Sequence, residues 1–277
     1  MTKASAPLVD LDAYFARIGY AGPRDATLET LRALHVLHPA AIPFEAIDVQ
    51  LGRGVDLSPA AVDAKLIGAR RGGYCFEQNG LLKRVLLSLG FEVEALIARV
   101  VWMAPPDAPP RPRSHMALRV VVDGQSWFAD VGFGGNVLTA PMRFDSTEPQ
   151  ATGHEDFRLT PVGHELRLET RLGDAWAPLY DLSLEPQLDA DFESANWYTS
   201  THPTSHFRHG LRVGLTTTDA RNSLLNNRLT IRRPDGSSER RTLTKTELSE
   251  VLSDLFTLPV EPAWEPLLEQ AVRDGAD

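Results

Sequence analysis

Cys75 is the single cysteine of a 277-residue chain, and it stands in the run Arg71-Gly72-Gly73-Tyr74-Cys75-Phe76-Glu77-Gln78-Asn79. After the glycine pair, Leu81, Leu82, Val85, Leu86 and Leu89 recur at helical spacing until Gly90. The thiol therefore falls at the start of a helix. Unpaired amides and the helix dipole stabilise an anion there, and the thiolate is the nucleophilic form of cysteine. Leu82 and Leu86 share its helix face, which directs the sulfur inward. A lone buried cysteine is otherwise a small hydrophobe, so nucleophilic chemistry requires a base.

The chain offers eight histidines, and a hairpin selects one. His115–Val122 and Gln125–Val131 are apolar runs joined by Asp123-Gly124, a two-residue turn of the kind that takes positive φ. With Val122 opposite Gln125, Ala117 falls opposite Asp130 and His115 opposite Gly132. His115 and Asp130 become diagonal neighbours on one face of the sheet, with Cβ atoms roughly 7–8 Å apart or less. A carboxylate so placed fixes the imidazole tautomer, the orienting role in a catalytic triad. The opposite face, Met116, Leu118, Val120 and Val122 against Trp127, Ala129 and Val131, is apolar and reads as core. The His115 face also carries Arg119, Ser126 and Phe128 and reads as mixed. Without the cysteine, the same pair would merely tie down a strand end. The hairpin does not itself bring Cys75 close, so that convergence is an expectation.

The elements that must position these residues follow from pattern. Asp12 to Ile18 reads as a helix ended by Gly19. A second, capped by Asp25 or Thr27, runs to about His38, and a third spans Pro59 to Ile67 after Ser58. Past Gly90 the texture turns to strands. These are Phe91–Met103, the hairpin, Asp156–Val162, Glu165–Thr170 and Trp176–Leu184, with a proline-dense loop at Ala104–Arg113. The last third reads as strands Leu211–Thr217, Arg228–Arg232 and Arg240–Leu243, then a helix from Thr244, where Glu247 sits at capping-box spacing. The expected division is 1–92 helical, 93–190 antiparallel β, and 191–277 mixed.

Composition excludes several function classes. Net charge is −9 without a basic run, which argues against nucleic acid. No apolar run approaches the roughly 18 residues of a membrane span, and Met1 to Asp10 lacks the pattern of a secretory signal. With one cysteine, a cytoplasmic location is expected. No set of residues suggests a metal site.

With these residues assembled, the sequence resembles the arylamine N-acetyltransferases. Arg71 to Glu77 looks like the nucleophile motif, Arg113-Ser114-His115 like the histidine motif, and Asp130-Val131-Gly132-Phe133-Gly134 like the aspartate motif. Tyr14 to Tyr20 and His38 to Glu45 resemble N-terminal signatures. Asn196 to Pro203, followed by Phe207, is similar to a signature of the third domain. The chain departs from the family in Ala46, where asparagine is frequent, and in its proline-rich loop. The resemblance implies an α+β fold, with a helical bundle, an antiparallel β-barrel and an α/β lid. It also implies a Cys75-His115-Asp130 triad akin to those of cysteine proteases.

Acetyl-CoA would serve as co-substrate with no tightly bound cofactor, and small aromatic amines or hydrazines as acceptors. By the same resemblance Phe44, Phe133 and Phe207 line the acceptor pocket. CoA phosphates would meet Arg113 and Arg111, Ser114, and amides around Gly132 and Gly134. A homodimer is compatible with this reading. An amide synthase of the same family, a cysteine hydrolase or transglutaminase, and a non-catalytic binding protein remain as alternatives.

Overall fold

The computed structural model describes residues 9–275 apart from residue 106. Met1–Leu8, on which the secretory-signal reading mostly rests, lie outside the described residues, as do residues 276 and 277 of the expected C-terminal region. The first helix, α1 (Leu11–Ile18), begins where Asp10 accepts a hydrogen bond from the Ala13 amide (3.0 Å) and ends at Gly19, whose φ is +71°. Thr27 caps α2 (Leu28–Ala41). This helix continues through Pro39 rather than stopping near His38, because a proline in a helix removes only one backbone hydrogen bond and packing can carry it. A short strand, β1 (Phe44–Glu45), and one turn of helix, α3 (Ile47–Gln50), follow. The third expected helix is shorter: α4 (Pro59–Asp63) widens into a π turn over Ala64–Gly68. The helix expected after the glycine pair, α5 (Cys75–Ser88), starts at the cysteine, and Gly90 (φ +90°) ends the run.

Eight antiparallel strands form the second layer. They are β2 (Glu92–Val100), β3 (His115–Val122), β4 (Gln125–Ala129), β5 (Met142–Arg143), β6 (Gln150–Ala151), β7 (Asp156–Val162), β8 (Glu165–Leu172) and β9 (Ala175–Ser183), in the order β5-β4-β3-β2-β9-β8-β7-β6. This sheet curls into a nearly closed barrel. Gln150 bridges its two short edges: Oε1 accepts from the Arg143 amide (2.7 Å) and Nε2 donates to the Arg143 carbonyl (3.1 Å). A side-chain amide thus stands in for the missing ladder.

The chain then forms α6 (Asp189–Thr201) and a second sheet. Its strands are β10 (Arg212–Thr216), β11 (Arg221–Leu225), β12 (Arg228–Arg232) and β13 (Ser238–Thr242), with β1 paired to the free edge of β10. Helices α7 (Lys245–Asp254) and α8 (Glu265–Asp274) cover one face. As expected, Thr244 caps α7 and Glu247 returns the bond to the Thr244 amide.

Three buried clusters hold these layers. The first joins Tyr14, Leu31, Leu34, Phe76, Leu82 and Val85 of the helices to Met116, Leu118, Val120, Val122 and Val131. The apolar hairpin face is therefore the seat of α5. The second fills the barrel with Leu96, Ala117, Phe128, Phe157, Leu168 and Tyr180. Ala117 and Phe128 lie on the His115 face, so that face is mixed only toward the turn, where Arg119 pairs with Glu94. The third cluster lies between the second sheet and α7–α8, around Val213, Leu224, Leu248, Leu252 and Trp264. Among the described residues no helix is long and apolar enough to cross a membrane.

Candidate active site

The glycine pair lets the chain deliver Cys75 through a crowded approach. A Cβ at Gly72 would overlap the Pro43 carbonyl, and one at Gly73 would lie 2.8 Å from Glu77 Oε2. Glu77 reaches back to accept from the Tyr74 amide (3.0 Å), fixing the first turn of α5. Cys75 is 3% exposed, and its Sγ lies 3.5 Å from the Ser114 carbonyl oxygen. The start of α5 and the residue just before β3 therefore meet, although nothing local in the sequence required it.

The hairpin forms in the expected register, with Val122 opposite Gln125 through to Leu118 opposite Ala129. Asp123 (φ +50°) and Gly124 (φ +75°) make the turn. The ladder stops at Ala129, so Asp130 is not paired to Ala117 as the extrapolation had it. Its side chain nevertheless reaches the ring: His115 Nε2 donates to Asp130 Oδ2 at 2.8 Å. The chain beyond β4 is held by Asn79 instead, whose Oδ1 accepts from the Val131 amide (3.0 Å).

Asp130 is buried and accepts four hydrogen bonds. His115 and Tyr180 (2.6 Å) bond Oδ2, while Asn79 Nδ2 (2.8 Å) and the Gly132 amide (2.8 Å) bond Oδ1. Burial alone would raise its pKa, but His115, Tyr180 and Asn79 hold the carboxyl below its usual range. Burial likewise opposes charge on the His115 ring. The Asp130 carboxylate, its hydrogen bond and the nearby Cys75 outweigh burial and push His115 up to about 10. Since Nε2 faces Asp130, Nδ1 is the nitrogen left for the sulfur.

Two further histidines of α2 support this core in the neutral form. His35 Nε2 accepts from the Asp130 amide (3.1 Å), and burial lowers its pKa to about 4. His38 accepts from the Tyr14 hydroxyl (2.9 Å) and donates to Gln78 Oε1 (2.6 Å); burial lowers its pKa to about 3. Gln78 in turn donates to the carbonyls of Pro43 (2.9 Å) and Gly73 (3.1 Å). A chain of neutral polar groups thus clamps the segment leading to Phe44 against the residues just before Cys75.

Phe44, Phe133 and Phe207 gather around this centre. Phe207 is buried against Tyr74 (5.5 Å between ring centroids) and Phe44 (6.0 Å). Phe133 meets His115 edge-on (5.1 Å) and touches Tyr180 (5.0 Å). Phe44 and Phe133 remain half-buried.

A sequence model of the family described as N-acetyltransferase matches residues 27–264. The arylamine N-acetyltransferase of Mycolicibacterium smegmatis is 46% identical over 83% of this chain and 85% of its own length. That of Escherichia coli K12 is 45% identical over 73% of this chain and 71% of its own. The structure of Mycobacterium marinum arylamine N-acetyltransferase in complex with CoA superposes with a TM-score of 0.91 at 40% identity, covering 96% of this chain and 99% of that one. The chain belongs to the arylamine N-acetyltransferase family. It is an acetyltransferase enzyme.

Within this N-acetyltransferase, the residues assigned to CoA by resemblance have varied surroundings. Gly132 packs directly on Cys75: a Cβ there would lie 2.8 Å from Cys75 Cα and from Asn79 Nδ2. Its amide is already given to Asp130. Gly134 (φ +78°) sits under the Phe44 ring. Arg113 is exposed and paired with Glu165 (2.6 Å), and the Ser114 carbonyl lies beside the Cys75 sulfur. Among the described residues no group of three or more His, Cys, Asp or Glu side chains is placed to hold a metal.

Sequence reasoning quoted Asn79 and Gln78 without giving them work, and missed His35 and Tyr180. Asn79 was discoverable, since it lies one helical turn from Cys75 on the buried face, where an amide needs partners. Tyr180 comes from β9, and only the long-range pairing of β9 with β2, beside β3, brings it to Asp130.

Proposed function

We propose that this family member moves an acetyl group from acetyl-CoA to the nitrogen of arylamines or arylhydrazines, through an acetyl-cysteine on Cys75. The observation that carries the reading is the buried hydrogen bond from His115 to Asp130 beside the buried Cys75, a carboxylate contact that pushes the ring's pKa up. A cationic imidazole beside the sulfur favours the thiolate. The thiolate attacks the thioester carbonyl, and the bond to CoA sulfur breaks. The departing CoA thiolate takes the His115 proton, leaving the ring neutral. The acceptor amine then attacks the acetyl carbonyl and gives its proton to His115, and the Cys75 thiolate leaves. The ion pair is thereby restored.

Dividing the transfer in this way gives ping-pong kinetics. The first amides of α5 have no intrahelical partner, and they are the natural donors to the tetrahedral oxyanion. Aromatic amines suit the site because they stay unprotonated at neutral pH. A flat ring also packs against Phe44, Phe133 and Phe207.

Intact mass spectrometry tests the whole reading. Acetyl-CoA alone should add one acetyl group to the wild type and none to Cys75→Ala, and an arylamine should then remove it. Turnover of acetyl-CoA to acetate and CoA with no acceptor dependence would instead mark a hydrolase.

A further inference from the structure

Other arginines drawn into the interior are held by oxygen acceptors, even though Arg221 also leaves its Nη2 unpartnered. Arg71 meets Glu45, Arg84 meets Asp63, Arg221 meets Glu155, and Arg17 donates to backbone carbonyls. Arg212 on β10 is different. It forms no ion pair among the described residues, and its Nε is buried without a hydrogen-bond partner. Burying such a group without a partner is costly, and the residue is only half-buried, so part of the guanidinium stays open to a ligand.

The direction of the side chain follows from the strand. Leu211, Val213 and Leu215 enter the cluster under α7–α8, so Arg212, Gly214 and Thr216 face the other way. On that face Gly214 is paired with Phe44 and lies against the Gly134–Gly135 backbone. Arg212 is therefore on the same side as the aromatic cleft beside Cys75. The turn His206–Arg208 brings His206 there, with its ring 4.0 Å from that of Phe207. The charges of Arg212 and Arg111 both bear on His206. Arg111 comes from the proline-dense loop before His115, is exposed, and makes one long contact to the Trp102 carbonyl (3.5 Å). Three segments thus bring cationic or donor groups to one rim of a chain whose net charge is −9.

We infer that Arg212, with His206 and Arg111, forms an anion-binding rim that receives an oxyanion carried by a substrate of the Cys75 cleft. The shared chemistry is a phosphate or carboxylate oxygen accepting charge-assisted hydrogen bonds from guanidinium. Two sources fit it: the phosphates of the acyl-CoA donor, or a carboxylate on the ring of the acceptor. The inference rests on the proposed acetyl transfer and names what anchors its substrates.

The test compares Arg212→Gln, Arg111→Gln and wild type with two donors and two acceptors. The donors are acetyl-CoA and S-acetylpantetheine, which lacks the phosphates; the acceptors are 4-aminobenzoate and 4-methylaniline. If the donor supplies the anion, Arg212→Gln should raise KM for acetyl-CoA about tenfold or more, the scale of one hydrogen bond to a charged group. KM for S-acetylpantetheine should move less than twofold. If the acceptor supplies it, the loss should fall on 4-aminobenzoate and spare 4-methylaniline. Arg111→Gln, in an exposed loop, should show the same selectivity more weakly without risk to folding. Arg212→Lys should recover part of it.

Equal effects on charged and uncharged partners, or no effect, would overturn the rim. Should wild-type Cys75 accept no acetyl from either donor, the acetyl-transfer reading itself fails, which is a separate outcome.

Discussion

Acid should destabilise this enzyme earlier than its carboxylates alone would dictate, because two buried histidines must stay neutral. His35 presents Nε2 as an acceptor to the Asp130 amide, and His38 presents Nδ1 to Tyr14. Protonation would set N–H against N–H at the first and remove the acceptor at the second. Burial holds their pKa values at about 4 and about 3, whereas both titrate near 6.5 in the unfolded chain. Between those limits the unfolded state binds more protons, so stability is full above pH 6.5 and falls as pH drops.

Integrating from pH 7 to pH 5 gives about 2 kcal/mol lost per histidine, or about 4 kcal/mol together. His115 has the opposite sign. Its pKa is raised to about 10, so protons favour the fold, and the same interval restores about 1 kcal/mol. The net loss is about 3 kcal/mol. An unfolding entropy of roughly 2 cal/mol/K per residue makes this a fall in melting temperature of about 5 °C. Thermal melts followed by circular dichroism at pH 7, 6 and 5 measure it. Imidazole resonances followed by NMR identify the groups, since His35 and His38 should not titrate above pH 5. A melting temperature that is flat or rising toward pH 5, or either ring titrating near 6.5, would refute the reasoning.

Asp130→Asn should lower kcat/KM by about four orders of magnitude, as removing the orienting carboxylate does in other triads. Its amide NH2 must face two donors on whichever side it takes, and steady-state kinetics beside a melt separate the loss of activity from unfolding. Arg71→Met removes the cation that pairs with buried Glu45 and with Asp48 and Glu261. Breaking a buried pair this way costs about 3–5 kcal/mol, seen as a melting temperature lowered by about 5–9 °C, and a drop under 2 °C would show the network is not stabilising. Gly132→Ala places a methyl group 2.8 Å from Cys75 Cα and Asn79 Nδ2; acetylation of Cys75 by mass spectrometry should slow more than tenfold while circular dichroism stays unchanged.

The parts of the fold with local causes were legible in the sequence. Helix starts at Thr27 and Thr244, the stop at Gly19 and the Asp123-Gly124 turn have chemistry within a few residues. The register from Val122–Gln125 to Leu118–Ala129 followed from the turn, which brings Asp130 to within one residue of the ladder's end. What was missed lacks a local cause. The strands β1, β5 and β6 have two residues each, too few to show a period. β11 (Arg-Asn-Ser-Leu-Leu) hides its alternation because Arg221 is itself buried on a salt bridge to Glu155. In α6 the inward positions include Asn196, Thr199 and Ser200, so no apolar stripe marks the helix. Asn196 is buried because it bonds Tyr74 and the Val55 carbonyl (2.9 Å), a partnership that exists only after folding.

The same reasoning explains how a buried charged pair can be held in register at all. A strand shifted by one residue turns every side chain to the other face, and the hairpin ladder ends before Asp130, so the turn alone does not secure that carboxylate. Asn79 closes the gap from the helix that carries Cys75. Its Nδ2 donates to the Met116 carbonyl (2.7 Å) and to Asp130 Oδ1, and its Oδ1 accepts from the Val131 amide. One side chain thereby bonds the residue after His115, the aspartate itself and the residue after it. A slip of either strand would leave a buried amide unpaired at two points, at about 1–3 kcal/mol each. The residue that ties Cys75's helix to His115 and Asp130 therefore has no role in the proposed chemistry. It lies one turn from the sulfur because α5 packs across the ends of both strands, where its first buried turn meets Met116 and Asp130 together.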